Sequence, residues 1–150
     1  MKLYKKPDER LPVLFATQDV PPLERLIYQH FGSDCGTIWY AAEYAPKTQM
    51  FYGYAIVNCD YLRGGWGYFS LDFMKSYKDV FGEPLRASSD RSGYPKRAIE
   101  IEDIALGYRL RGELPVAFPG DTEGDKERFE TRFRLAKQEI DCRSRQSERS

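Results

Sequence analysis

The sequence predicts an α+β fold in one domain: a curved, mainly antiparallel sheet of four or five strands packed with one central helix, and an amphipathic helix appended at the C-terminus. Three observations carry this. Four segments rich in aromatic and β-branched residues follow one another with short, turn-like connections. A helix-start signal at Ser70 follows them directly, and a narrow apolar stripe recurs at helical spacing near the end of the chain.

The elements follow in order. "LPVLFATQDVPP" is short and apolar, and Pro21 and Pro22 close it as a turn because proline fixes its own backbone and keeps its predecessor extended. "ERLIYQHF" alternates Leu26, Tyr28 and His30 against Ile27, Gln29 and Phe31, as a strand does, and "TIWYAAEY", "MFYGYAIVNC" and "GWGYF" suit a pleated surface in the same way. "GSDCG" and "APKTQ" are short enough for hairpins. Ser70 is a good N-cap and Asp72 falls in the first turn, which predicts a helix from Leu71 to Phe81 with Leu71, Met74, Tyr77 and Phe81 on one face and Gly82 as its stop. "SSDRSGYPKR" reads as a polar loop, "AIEIEDIAL" is ambiguous between a strand and a helical turn, and "ELPVAFPGDTEGD" reads as an extended linker. In the last segment Asp121 or Thr122 caps a helix whose stripe is Phe129, Phe133, Ala136 and Ile140, and "RSRQSERS" reads as a frayed basic tail. The organisation is a core over 1–106, a linker over 107–122 and a helix with its tail over 123–150, within one domain.

Composition excludes several function classes. Lys+Arg and Asp+Glu are equal at 23 each, so no net field recruits nucleic acid or membrane to the molecule as a whole. Cys35, Cys59 and Cys142 form no C-x-x-C pair, which points to neither a disulfide framework nor a zinc knuckle and fits a reduced, cytoplasmic setting. No apolar run approaches a membrane span, and "MKLYKKPDERLP" lacks the apolar centre of a signal peptide. Aromatic residues are 15% of the chain, an excess that suggests an aromatic-rich sheet or an interaction surface.

Candidate chemistry is sparse. "RGGWGYF" meets neither the Walker nor the dinucleotide pattern, so its glycines read as a turn with close backbone approach. His30 is the sole histidine; a pairing with Cys59 across adjacent strands is conceivable, and a half-buried or surface histidine is the plainer account. Strand alternation sets Glu43 on the face of Trp39 and Ala41, where it either works as an acid or base or pairs with a cation such as Arg63 or Arg86. Asp60, Asp72, Glu83 and Asp90 lack metal-ligand spacing, and no metal or other cofactor is called for. Tyr52 and Tyr54 point away from Phe51, Ala55 and Val57; with Lys47, Arg63 and Arg86 nearby in sequence they would serve as base-stacking platforms, as anchors for a protein partner, or as a covered second face, and the candidate binding residues are Trp39, Glu43, Tyr52, Tyr54, Arg63, Trp66 and Arg86.

The strings "LPVLFATQD", "WYAAEY", "FYGYAIV" and "GWGYFSL", in this order and spacing, resemble an uncharacterised bacterial domain-of-unknown-function family. The resemblance covers Leu11 to Leu106, and Trp39-Tyr40 with Glu43 and the run Gly67 to Leu71 are its most specific parts. Two departures stand out: Gly64-Gly65 replace an acidic residue before the turn, and "EPLRASSD" only loosely echoes a later charged run. Members of that family commonly occur on plasmids, integrative elements and phages beside anti-restriction and DNA-transfer genes. The resemblance implies a non-enzymatic accessory protein of a mobile element that binds a host protein, such as a restriction or CRISPR effector. Two alternatives stay open: a nucleic-acid binder using an aromatic and basic sheet face, and a small enzyme using Glu43. The oligomeric state is open as well.

Overall fold

The computed structural model describes residues 6–88 and 93–148, with side chains as far as Arg143. Short connections force neighbouring segments to run antiparallel, and they do. Strands β2 (Gln29–Gly32), β3 (Ile38–Ala45), β4 (Met50–Ile56) and β5 (Gly65–Ser70) pair in succession. A two-residue strand β6 (Arg86–Ala87) adds to the free side of β2, giving the order β5-β4-β3-β2-β6. "ERLIYQHF" breaks after Ile27: β1 (Leu26–Ile27) leaves the main sheet and pairs with β7 (Lys96–Arg97) in a separate ribbon.

One irregularity decides where the central side chains point. Ala41 opposes Gly53 and Glu43 opposes Tyr52, so Ala42 is an extra residue in β3 and the register slips there. Trp39 and Ala41 lie on one face; beyond the bulge Glu43 turns to the other, with Tyr40, Tyr52 and Tyr54. The face expected for Glu43 from simple alternation is thus corrected by a single inserted residue. Gly53 makes the bulge sterically possible, since a Cβ there would sit 1.8 Å from the Tyr40 carbonyl oxygen.

Both faces of the sheet are covered. On one, Phe31, Trp39, Phe51 and Phe69 are buried against Leu71, Met74 and Leu85; Phe51 and Phe69 stack with ring centroids 5.2 Å apart. On the other, Tyr40, Ala42, Tyr54 and Ile56 meet Ile27, Ala98, Ile101 and Ile104. Each such aromatic pair adds about 0.5–1.5 kcal/mol beyond its buried area, so the chain's excess of rings goes largely into core packing.

Helix α1 (Leu71–Ser76) starts as predicted: the Phe73 N–H donates to Ser70 Oγ at 3.0 Å. It stops five residues earlier than the periodicity suggests, at Ser76 rather than Phe81. Asp79 is the cause. Its Oδ1 accepts the N–H groups of Phe81 (2.8 Å) and Glu83 (2.9 Å), offering the backbone a turn in place of a further helical turn. Leu71 and Met74 are buried as expected, whereas Phe81 is 79% exposed and Gly82, at φ +79°, closes this turn instead of a helix.

The ambiguous "AIEIEDIAL" becomes a short 3-10 turn (Ala98–Glu100) and helix α2 (Glu102–Leu110), so the core boundary expected at 106 falls inside a helix and the linker starts after Leu110. Helix α3 (Glu123–Glu148) begins at Thr122, whose Oγ1 accepts the Asp125 N–H at 3.1 Å. It continues to Glu148, so most of the tail expected to fray is helical; residues 149 and 150 lie outside the described range, as do residues 89–92 of the polar loop. Phe129, Phe133, Ala136 and Ile140 are only partly buried. Charge holds α3 instead: Arg132 reaches Asp103 at 2.9 Å and Glu102 at 3.2 Å, Arg128 reaches Glu102 at 3.2 Å, and the Arg109 guanidinium lies 4.4 Å from the Phe129 ring centroid. Among the described residues no helix is long and apolar enough to cross a membrane.

Candidate functional site

Four of the seven predicted site residues come together on the bulged face of the sheet. Tyr52 and Trp66 stack at 5.9 Å, Tyr54 meets Trp66 edge-on at 5.5 Å, and Glu43 stands opposite Tyr52 across the β3–β4 pair. Trp39 lies on the other face against Phe69, Phe73 and Tyr77. Arg63 is a surface residue of the 3-10 turn Tyr61–Arg63, 3.7 Å from Asp60, and Arg86 is on the edge strand β6, 3.9 Å from Asp34.

Tyr54 does not offer itself for stacking. It is fully buried beneath α2, its hydroxyl accepting from the Arg111 guanidinium at 3.4 Å, and burial raises its pKa. The Trp66 indole N–H donates to the Tyr108 hydroxyl at 2.9 Å, which joins β5 to the same helix. The close approach expected in "RGGWGYF" is confined to Gly64, where a Cβ would lie 3.0 Å from Tyr54; nothing crowds Gly65 or Gly67.

The residue that sequence reading missed is Arg25. It follows the 3-10 turn Pro22–Glu24 and is 9% exposed. Its guanidinium lies 5.1 Å from the Trp66 ring centroid and 5.4 Å from that of Tyr52, a double cation–π contact. Nε donates to the Thr17 carbonyl at 3.2 Å and Nη1 to the Tyr52 hydroxyl at 3.0 Å. In the sequence Arg25 shows only as a polar residue before a strand, with nothing to tie it to Trp66.

Glu43 is a buried anchor, 2% exposed. Its Oε1 accepts the Phe15 N–H at 2.8 Å, and its Oε2 accepts the Thr17 N–H at 2.9 Å and the Thr17 hydroxyl. Neither Arg63 nor Arg86 is its partner. The carboxylate pins "LPVLFATQD" to the sheet in an unfavourable conformation: Phe15 has φ +73°, in the left-handed region, where a bulky residue costs about 1–2 kcal/mol. Phe15 thereby stands 56% exposed, edge-on to the equally exposed Tyr68 at 6.4 Å. Phe15, Gln18, Arg25, Glu43, Tyr52 and Tyr68 enclose a cavity of about 210 Å³. This is an aromatic-rimmed pocket with a buried cation and a hydrogen-bonded carboxylate in its wall.

The other candidates separate. His30 and Cys59 line different cavities. His30 Nδ1 lies 2.6 Å from the Tyr94 hydroxyl, whose pKa burial pushes up to about 12. Asp60, Asp72 and Glu83 join no cluster able to hold a metal among the described residues, and Asp90 is outside them.

Burial, and next the charge of Lys96, hold the His30 pKa below its ordinary 6.5. As pH falls the unfolded chain takes this proton first, so the histidine's contribution is full above about 6.5 and is lost as pH drops towards the lower folded value. Thermal melts from about pH 8 to about pH 5 should show a steeper acid-side loss for the wild type than for His30→Gln. Parallel curves would remove His30 from the acid response.

No family model, curated protein or solved structure matches the chain.

Proposed function

We propose that the chain is a non-enzymatic interaction protein that engages a protein partner through the rim around Phe15 and Tyr68. The observation that carries this reading is the rim itself: two large rings, each 56% exposed, beside a buried arginine, Phe15 held there by a loop in a strained conformation and Tyr68 by strand β5. Aromatic and arginine side chains of this kind dominate binding energy at protein interfaces. Glu43 favours an interaction role over catalysis, because its two oxygens already accept three hydrogen bonds from the loop it fixes. With the resemblance to mobile-element proteins, the concrete version is an inhibitor of a host defence effector, of anti-restriction or anti-CRISPR type, acting in the cytoplasm of a bacterial host.

A second reading follows Arg86. It lines a cleft of about 560 Å³ with His30, Ser88, Tyr94 and Lys96, where two cations would suit a phosphate backbone.

One experiment addresses both. Tagged wild type and the double variant Phe15→Ser, Tyr68→Ser are used to capture proteins from host lysate with and without nuclease. The expected result is a defined, nuclease-resistant partner whose retention falls at least about 10-fold in the variant, as loss of a hot spot implies. A partner lost with nuclease and dependent on Arg86 and Lys96 would favour nucleic acid. Equal capture by wild type and variant would overturn the rim as the binding surface.

A further inference from the structure

The Arg25 cavity says more about the partner than that it is a protein. Burying a cation is costly unless it is paired, and Arg25 is nine-tenths buried while its two hydrogen bonds go to neutral oxygens, of Thr17 and Tyr52. Among the described residues it makes no ion pair. Glu43 shares the cavity wall, yet its oxygens are taken by Phe15 and Thr17. The rings of Tyr52 and Trp66 hold the guanidinium, so little side-chain freedom is left to lose on binding.

We propose that this cavity receives a single carboxylate on the Arg25 guanidinium, supplied by an acidic side chain of the protein partner. Three features set that chemistry. A planar guanidinium matches a planar carboxylate, and Nη2 makes no hydrogen bond among the described residues, Nε and Nη1 being the ones that donate to Thr17 and Tyr52. The cavity holds one cation and one anion, so a monoanion is preferred to a dianionic phosphate, which Glu43 would repel more strongly. At about 210 Å³ it is smaller than the usual small-molecule pocket yet accepts a side-chain head, and Phe15 and Tyr68 stand ready to cover the methylene stem. Gln18 lies exposed at the mouth. The proposal rests on the protein-binding reading for the source of the carboxylate, and its chemistry is testable without the partner.

Acetate, its neutral isostere acetamide and inorganic phosphate are titrated into the full chain while the Arg25 Nε–H and Trp66 indole N–H resonances are followed by NMR. Acetate should shift both saturably, with a Kd in the range of about 1–100 mM, phosphate should bind at least about 10-fold more weakly, and acetamide should leave them in place. Arg25→Lys should abolish the acetate response. Because that variant also loses the Thr17 and Tyr52 contacts and with them stability, Gln18→Glu provides the second arm: it sets a carboxylate at the mouth, leaves the buried contacts intact, and should suppress acetate binding about 10-fold. Acetate shifts no larger than those from matched chloride, or unchanged acetate binding in Gln18→Glu and a folded Arg25→Lys, would overturn the carboxylate site. Failure here with rim-dependent capture intact overturns this site alone; saturable acetate binding without rim-dependent capture overturns the protein source and leaves the carboxylate chemistry.

Discussion

Gly53→Ala is expected to cost about 3 kcal/mol or more, a large share of the roughly 5–15 kcal/mol that stabilises a typical domain. The added methyl would stand 1.8 Å from the Tyr40 carbonyl oxygen and 3.2 Å from Ala41 Cα, both backbone atoms of the neighbouring strand with no rotamer to adopt. Relief requires separating β3 from β4 at the bulge, in the middle of the sheet, where Tyr40 and Tyr54 are packed directly opposite each other. Gly67→Ala on β5 is the matched control: nothing lies within 4 Å of its Cβ, so its effect should stay within about 0.5 kcal/mol. Urea unfolding of the two variants checks the contrast, and a Gly53→Ala midpoint close to wild type would mean that the bulge is not as described.

Glu43→Gln should destabilise by about 2–3 kcal/mol and free the segment around Phe15 and Thr17 before the rest of the chain opens. The amide replaces one acceptor oxygen with a donor, so at least one of the three donors now bound by the carboxylate faces another donor in a buried setting. The strained φ of Phe15 then loses the contacts that maintain it, which favours local release. Hydrogen exchange at the Phe15 and Thr17 amides, with unfolding in denaturant, reads both effects. The same variant bears on the enzymatic alternative: a catalytic Glu43 predicts intact stability with lost chemistry, an anchoring Glu43 predicts the reverse. Unchanged stability and unchanged amide protection would refute the anchor.

The strands were legible because each carries its own signal. Aromatic and β-branched runs with short connections admit few arrangements, and the hairpins from β2 through β4 follow from them directly. The start of α1 was equally local, resting on the Ser70 hydroxyl, but its end depends on Asp79, a side chain that competes with the helix only once the turn exists. Ahead of α2, Ile99, Glu100, Ile101 and Glu102 alternate as a strand would, and the helix declares itself only through burial of Ile104, Ala105, Leu106 and Gly107 together. At the site, Tyr52, Trp66 and Glu43 share a face, whereas alternation set Glu43 beside Trp39; its true face turned on an insertion that shows in the sequence only as a glycine inside a strand. Arg25 carried no signal at all, because the rings it meets, Tyr52 and Trp66, lie far along the chain.

The way α3 is fastened sets a second scale of motion within the fold. Its anchors are ion pairs to Glu102 and Asp103, and Asp103 also accepts the Tyr40 hydroxyl proton at 2.9 Å, so the ties end on the buried sheet face. Such pairs weaken with ionic strength, whereas the apolar layers about the sheet do not. The attachment of α3 should therefore loosen with rising ionic strength before the sheet does.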